Sequence, residues 1–462
     1  MREGLHKIVP TDDTIIAIST PPGHSGIGII RISGPGAVPI NQRFFKARGP
    51  LTELSPRVAV VGKWSDIAGE DIDQVVVTFF RKPSSYTGED VIEISAHGNP
   101  FSMNRIVETV CSAGARVANP GEFTLRAVVH GKLDLLQAEA VREFVDAQTD
   151  LQARTALRQL EGSVSKRVEP VKQKLVEIIA HLEAGIDFAE DDVDVPSNAS
   201  AARDIHSIEG MLDSLQRTFG YGKILAKGLK LVILGKPNVG KSSLFNRLVA
   251  ADRAIVTEVP GTTRDVLTET ISIDGVPVRF ADTAGMHETA DPVERIGVTR
   301  SLETLVDSDF GLVVLDGSSP LDASDWTVLG KASRIPHLIV INKTDLPQSI
   351  ELDGLNGSRR VPVSAKTGHG FDELQESLRA FVVAQKSDLV DDSILTSARQ
   401  FDTVTKILQS LSRASESLES QVPHEMVLLD LYDALAATGD LTGEVVTEDI
   451  LSKIFSTFCI GK

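Results

Sequence analysis

The octapeptide Gly235-Lys236-Pro237-Asn238-Val239-Gly240-Lys241-Ser242 constrains this chain more than any other stretch. It fits the pattern G-x-x-x-x-G-K-[ST] and lies between the apolar run Leu231–Leu234 and a helix-forming segment, Ser243–Val249. A strand, a tight loop and a helix start in that order make a phosphate cradle. The glycines leave backbone N–H groups free to wrap an anion, and the helix dipole favours negative charge there. In such a loop Lys241 reaches the β and γ phosphate oxygens and Ser242 coordinates Mg²⁺. The plainer reading, a glycine turn before a surface helix, shares the composition but not the context. Apolar runs at Leu229–Leu234, Val278–Ala281, Phe310–Asp316, His337–Ile341 and Arg360–Val363 alternate with helical segments. That alternation predicts a parallel sheet with crossover helices over residues 226–384.

Three further motifs follow predicted strands in order and select the base. Asp282-Thr283-Ala284-Gly285 puts Asp282 near Mg²⁺ and the Gly285 N–H near the γ-phosphate. Asn342-Lys343-Thr344-Asp345 matches the guanine-reading N-K-x-D pattern. The Asp345 carboxylate accepts from both N1–H and N2–H₂ of guanine. Adenine offers neither pairing and would leave a carboxylate unmatched. Ser364-Ala365-Lys366 supplies a third base-contacting loop. GTP with Mg²⁺ is therefore the expected ligand. The hydrolytic machinery is less direct. Small GTPases commonly carry a water-orienting glutamine immediately after D-x-x-G, and here that position is Met286. Glu294, downstream in the same segment, can accept from a water, although on its own it reads equally well as a solvated helix carboxylate.

Outside this unit the chain changes character twice. Residues 1–130 mix alternating apolar runs (Thr14–Ile18, Gly28–Ile32, Gln74–Phe80, Val91–Ser95) with Gly/Pro turns, and helix-like patterns start at Ala37 and Phe101. A compact α/β domain is expected. Leu133, Leu136, Ala140, Phe144, Ala147 and Leu151 then recur at helical spacing, as do Val164, Val168, Val171, Leu175, Ile178 and Leu182. These predict two long amphipathic helices with bundle-type seams. Acidic Glu190–Asp194, followed by Pro196, is expected to end the second. Helical sequence returns after about residue 385, so the α/β unit reads as an insertion into a helical domain made of 131–225 and 385–462. The fold class is multidomain α/β plus α.

Composition sets the remaining bounds. The 462 residues suit about three domains. No apolar run reaches the roughly 18–20 residues that cross a bilayer, and Met1–Pro10 lacks a signal-peptide core. Two cysteines, Cys111 and Cys459, make no disulfide framework and no four-cysteine zinc site, which points to a reducing, cytoplasmic setting. The net charge of −17 argues against a protein that coats nucleic acid through a general basic surface. It divides as 0 over 1–130, −6 over 131–225, −4 over 226–384 and −7 over 385–462, so the helical part makes a poor first docking site for RNA.

The chain resembles the MnmE (TrmE) family of tRNA-modification GTPases along its whole length. The resemblance rests on Gly235–Ser243, on Thr257-Glu258-Val259-Pro260-Gly261-Thr262-Thr263-Arg264-Asp265, and on the Asp282 motif with Glu294. It rests also on Ser85-Tyr86-Thr87-Gly88-Glu89-Asp90, Gly131-Lys132-Leu133-Asp134-Leu135 and the terminal Cys459-Ile460-Gly461-Lys462. It implies an N-terminal tetrahydrofolate-binding and dimerisation domain, a central helical bundle and an inserted Ras-like P-loop GTPase domain. The GTP site would comprise Asn238, Val239, Gly240, Lys241, Ser242, Ser243, the 257–263 segment, Asp282–Gly285, Asn342, Lys343, Asp345 and Ser364–Lys366. Ser242 and Thr263 would hold Mg²⁺. A K⁺ ion in the place of an arginine finger would be held by Asn238, Thr257, Val259 and Thr262, with Glu294 positioning the attacking water. Arg31, Glu89, Lys132 and Lys462 would bind a tetrahydrofolate derivative (5,10-methylene or 5-formyl) as one-carbon donor. Cys459 is a catalytic candidate only, its alternative being a small buried hydrophobe. The implied partners are a second copy, an FAD-containing MnmG/GidA-type flavoprotein in a heterotetramer or larger complex, and tRNA held largely by that partner, with no membrane. The implied reaction is aminomethyl or carboxymethylaminomethyl modification at C5 of the wobble uridine, position 34. The competing expectation is a regulatory GTPase of ribosome assembly without folate chemistry, a class that usually carries a basic RNA-binding module.

Overall fold

The computed structural model describes residues 12–48, 55–187, 197–251, 270–281, 308–351, 355, 359–385, 393–444 and 448–461. Packing divides the chain into two compact units. One comprises Met1–Arg142, Gln159–Leu212 and Asp402–Lys462, the other Glu143–Arg158 and Asp213–Phe401.

In the first unit the strands are β1 (Ile15–Ile18), β2 (Ser25–Ser33), β3 (Phe45–Ala47), β4 (Ala59–Ser65), β5 (Asp71–Phe80), β6 (Val91–Gly98) and β7 (Arg116–Val117). They form one sheet in the order β3-β4-β5-β6-β2-β1-β7, antiparallel except for the β1–β7 pair. Alternation puts Ile30, Ile32, Val75, Val77, Ile92 and Ile94 on one buried face. Against it pack Ile40 and Phe44 of the helix Ala37–Phe44 and Met103, Ile106 and Val110 of the helix Pro100–Ser112. That second helix starts where Asn99 Oδ1 accepts from the N–H groups of Phe101 and Ser102, with Pro100 needing no donor partner. Strands β3, β4 and β7 have no counterpart among the sequence expectations.

The predicted seam of the helix Ser163–Asp187 is buried. Val164, Val168, Val171, Leu175, Ile178 and Leu182 are each no more than 4% exposed. This helix packs on the helix His424–Thr442, and Lys172 Nζ pairs with both oxygens of Glu444 at 2.5 and 2.6 Å. Helices from either side of the α/β insertion thus share one unit. The acidic stretch expected to end the helix lies outside the described residues.

The other expected helix is interrupted. Leu135–Asp146 and Asp150–Leu160 are separate, and Phe144 is 42% exposed rather than part of a seam. The reason is a capping box. Thr149 Oγ1 accepts from Gln152 N at 3.2 Å while Gln152 Oε1 accepts from Thr149 N at 3.1 Å, which starts a new helix at residue 150.

In the second unit β8 (Leu229–Leu234), β9 (Thr270–Ile273), β10 (Val276–Phe280), β11 (Phe310–Asp316), β12 (His337–Asn342) and β13 (Arg360–Pro362) form a sheet ordered β13-β12-β11-β8-β10-β9. Its pairs are parallel except β9–β10 at the edge. The expected strands are all present; β9 is additional. Val313, Val314, Leu312 and Val340 are fully buried, as continuous apolar runs in a two-sided sheet require.

Candidate functional site

The phosphate loop leaves the end of β8 and enters the helix Lys241–Ala251. Two of its positions exclude a side chain. A Cβ on Gly240, at φ +98°, would stand 2.2 Å from Asn342 Nδ2, and one on Gly235, at φ +154°, would stand 2.6 Å from the Val314 carbonyl. Asn238 adopts φ +64° and is exposed. Lys241 folds back over the loop, its Nζ donating to the carbonyls of Gly235 and Lys236, both at 2.9 Å. Ser242 follows, half-buried, and Ser243 is exposed. The helix is anchored from below by Leu244, Phe245 and Leu248, with Phe245 edge-on to Phe280 at 5.0 Å.

The base loops converge on the same edge. Asn342, buried at the end of β12, donates from Nδ2 to the Val239 carbonyl at 2.8 Å and accepts on Oδ1 from Ala365 N at 2.9 Å. One side chain therefore joins the phosphate loop to the 364–366 loop. Ser364 Oγ donates to Asp345 Oδ1 at 2.7 Å. That hydrogen bond holds the Asp345 carboxyl below its usual range, so it is an acceptor at neutral pH. Lys343, at φ +65°, turns its Nζ to Asp316 Oδ2 at 2.6 Å. Arg247 and Asp316 were not singled out by the sequence patterns; both act through contacts remote in sequence. The glycine cradle, the half-buried serine at the helix start and the ionised Asp345 fit a guanine nucleotide with Mg²⁺. Thr257, Glu258, Val259, Pro260, Gly261, Thr262, Thr263, Asp282, Thr283, Ala284, Gly285 and Glu294 lie outside the described residues.

The first unit brings a second group together. Arg31 on β2 faces Glu93 on β6 across the sheet, Nη2 to Oε1 at 2.7 Å, and its guanidinium lies 5.4 Å from the Tyr86 ring and 5.7 Å from that of Phe123. Glu89 points inward. Its Oε2 accepts from Ser33 Oγ at 2.6 Å, and Oε1 from Nη1 of the fully buried Arg126 at 3.1 Å. Arg126 also donates to the Asp13 carboxylate at 2.6 Å, the Asp13 carbonyl at 2.9 Å and Glu122 at 3.0 Å. Burial, the largest influence on Glu122, pushes its pKa up, but Arg116, the Asn119 N–H and Arg126 outweigh it and hold the carboxyl low. Lys132 is exposed, its N–H bonded to the Ala127 carbonyl. The C-terminal segment docks here. Gly121 N donates to the Cys459 carbonyl at 3.3 Å and Ser19 Oγ to the Gly461 carbonyl at 3.1 Å. Cys459 is exposed, not a buried hydrophobe, whereas Cys111 is half-buried and burial raises its pKa. Lys462 lies outside the described residues.

Two family models match this chain, the MnmE helical domain over residues 135–459 and the GTP-binding protein TrmE N-terminus over residues 14–132. Koribacter versatilis has a tRNA modification GTPase MnmE that is 47% identical over 457 residues, covering 98% of this chain and 99% of that protein. The chain belongs to the MnmE family of tRNA modification GTPases. A second member, from Aquifex aeolicus, is 43% identical over 451 residues, covering 97% and 100% of the two chains. Among solved structures, the G domain of the Thermotoga maritima FeoB iron transporter is similar at 24% identity, over 34% of this chain and 98% of that one, with a TM-score of 0.25. As an MnmE-family member the chain is a GTPase of tRNA modification, with GTP and Mg²⁺ as its ligands. Its architecture is α/β plus α: an N-terminal sheet domain, a helical domain and a P-loop GTPase unit. No described helix is long and apolar enough to cross a membrane.

Proposed function

We propose that this chain is a K⁺-dependent GTPase that works as a homodimer in the cytoplasm with an FAD-containing MnmG/GidA-type partner. Together they convert C5 of the wobble uridine of certain tRNAs to an aminomethyl or carboxymethylaminomethyl group, with a tetrahydrofolate derivative as carbon donor. In this reading residues 1–130 carry folate binding and dimerisation, 131–225 and 385–462 the helical domain, and 226–384 nucleotide binding. tRNA is held largely by the partner, in keeping with the acidity of the helical segments.

At the nucleotide, Lys241 exchanges its two carbonyl acceptors for β and γ phosphate oxygens, the loop N–H groups cradle them, and Ser242 and Thr263 hold Mg²⁺. Asn238 offers its side-chain oxygen to K⁺ from an exposed, left-handed position, joined by Thr257, Val259 and Thr262. Bound there, K⁺ supplies positive charge beside the phosphates in the place of an arginine finger. Glu294 supplies the water orientation that Met286, standing where small GTPases commonly carry a glutamine, cannot. GTP hydrolysis drives closing and opening of the G domain rather than transfer of phosphate to RNA.

What supports the reading beyond GTP hydrolysis is the docking of Cys459–Gly461 on Gly121 and on Ser19, just past the end of β1, the strand that pairs with the one carrying Arg31. The donor set suits folate. Arg31 and Lys132 match carboxylate and carbonyl oxygens. Among the described residues Glu89 Oε1 accepts only from Arg126, which leaves it a lone pair for an amidine-like pterin edge. Lys462 and Cys459 would complete that site. Titration with 5-formyltetrahydrofolate tests this: binding weakened by Arg31→Ala and by Glu89→Gln is expected. No binding, or binding indifferent to both changes, sinks the folate reading and favours a folate-free regulatory GTPase.

A further inference from the structure

The helix that begins with the phosphate-binding Lys241 and Ser242 also carries Arg247, two turns on, and this arginine reaches the base side. Nη1 donates to the carbonyls of Ala365 and Lys366, both at 3.1 Å, and Nη2 donates to the Thr367 carbonyl at 3.1 Å. Its guanidinium lies 5.4 Å from the ring of Phe371, the first residue of the helix Phe371–Ala384. The loop is shaped to admit it. Gly368, at φ +91°, passes so close that a Cβ there would stand 2.1 Å from Nη2. Three consecutive carbonyls of one loop are thus gathered by a single planar fork, which a lysine's point charge cannot reproduce.

We propose that Arg247 is a positioning residue for guanine recognition. It clamps the 364–367 loop to the phosphate-binding helix, so that Ser364 holds Asp345 in its base-reading orientation before nucleotide arrives. The helix is itself fixed in the core by Leu244, Phe245 and Leu248, so the clamp transmits a rigid reference to a short loop that runs from buried Ser364 and Ala365 out to exposed Lys366 and Thr367. Asn342 ties the same two loops together at Val239 and Ala365, and Arg247 extends that tie to Lys366 and Thr367. Without the fork, the loop must be ordered at the moment of binding, and affinity falls by the population of the competent arrangement.

The inference rests on the assignment of Asp345 and the 364–366 loop to the guanine base. The test compares full-length wild type, Arg247→Leu and Arg247→Lys with three probes: GDP, inosine diphosphate (which lacks the 2-amino group that Asp345 reads) and inorganic tripolyphosphate. In Arg247→Leu, GDP affinity is expected to fall about tenfold, mainly through faster release, which corresponds to about 1.4 kcal/mol. The GDP-over-inosine-diphosphate preference shrinks, and tripolyphosphate binding stays within about twofold. Arg247→Lys, with one donor group in place of the fork, falls between. An equal loss across all three probes would mark Arg247 as merely structural and overturn the proposal. So would an unchanged GDP preference in Arg247→Leu. Wild type binding both diphosphates equally would instead overturn the base-site assignment beneath it.

Discussion

Replacing Arg126 by methionine removes the centre of the charged network under the N-terminal sheet. The side chain is fully buried and bonds Asp13, Glu89 and Glu122 at 2.6–3.1 Å. Glu122 would keep Arg116, at 2.6 Å, but among the described residues Glu89 would retain only neutral partners such as Ser33, at 2.6 Å, with its carboxylate still inside. Breaking one side of a buried ion pair costs about 3–5 kcal/mol. For a unit of this size each kcal/mol moves Tm by about 2–4 °C, so a fall of about 6–20 °C is expected in thermal unfolding of the ligand-free chain at pH 7. Adding Glu89→Gln should recover part of it, because an amide tolerates the site without a cation. The loss also depends on pH. Asp13 and Glu122 both titrate below the usual carboxylate range in the folded chain; burial, the largest influence on each, acts upward and is outweighed by the arginines. Their stabilisation is therefore complete above the unfolded value near pH 4 and disappears as pH falls through the lowered values. Arg126→Met holds less of it, so the gap between variant and wild type should narrow from about pH 5 to about pH 3. A Tm loss under about 2 °C, a deeper loss on adding Glu89→Gln, or a gap that widens in acid would refute this reading of the network.

GTP turnover should rise strongly in KCl over NaCl, and Asn238→Ala should abolish the difference; equal wild-type rates in both salts remove the cation argument. Glu294→Ala should slow hydrolysis while GTP affinity stays within about threefold, and a large affinity loss would make Glu294 structural instead. Gly240→Ala should weaken GTP and GDP binding by about tenfold or more, since its Cβ would meet Asn342 Nδ2 at 2.2 Å and dislodge a buried hydrogen bond; affinity within about twofold of wild type would contradict the fit.

The nucleotide unit was legible in the sequence because its strands are continuous apolar runs and its motifs sit where those runs end. Leu229–Leu234 and Phe310–Asp316 match their expected limits residue for residue. Strand β4 escaped because Gly62 interrupts its alternation, and the structure supplies the cause. A Cβ there would stand 2.4 Å from the Lys46 carbonyl and the Phe45 ring, so β3 can approach only a glycine. The break before residue 150 was written in Thr149-Asp150-Leu151-Gln152, but a seam at helical spacing runs straight across a capping box and hides it. Arg126 and Arg247 were invisible for a different reason. Each reads as an ordinary helix arginine until the fold brings Asp13, 113 positions away, or Ala365, 118 positions away, into reach. Cross-strand Arg31 and Glu93, 62 positions apart, are likewise paired only by register.

The central claim is that GTP hydrolysis here serves modification of the wobble uridine. The most direct measurement is nucleoside composition of tRNA from a strain whose own MnmE-family gene is deleted, with and without this chain supplied in trans. Restored C5-aminomethyl-type uridines at position 34, lost again with Arg31→Ala or Asn238→Ala, is the expected result. Unmodified wobble uridine in the complemented strain, with the chain folded, hydrolysing GTP and its flavoprotein partner present, would contradict the claim.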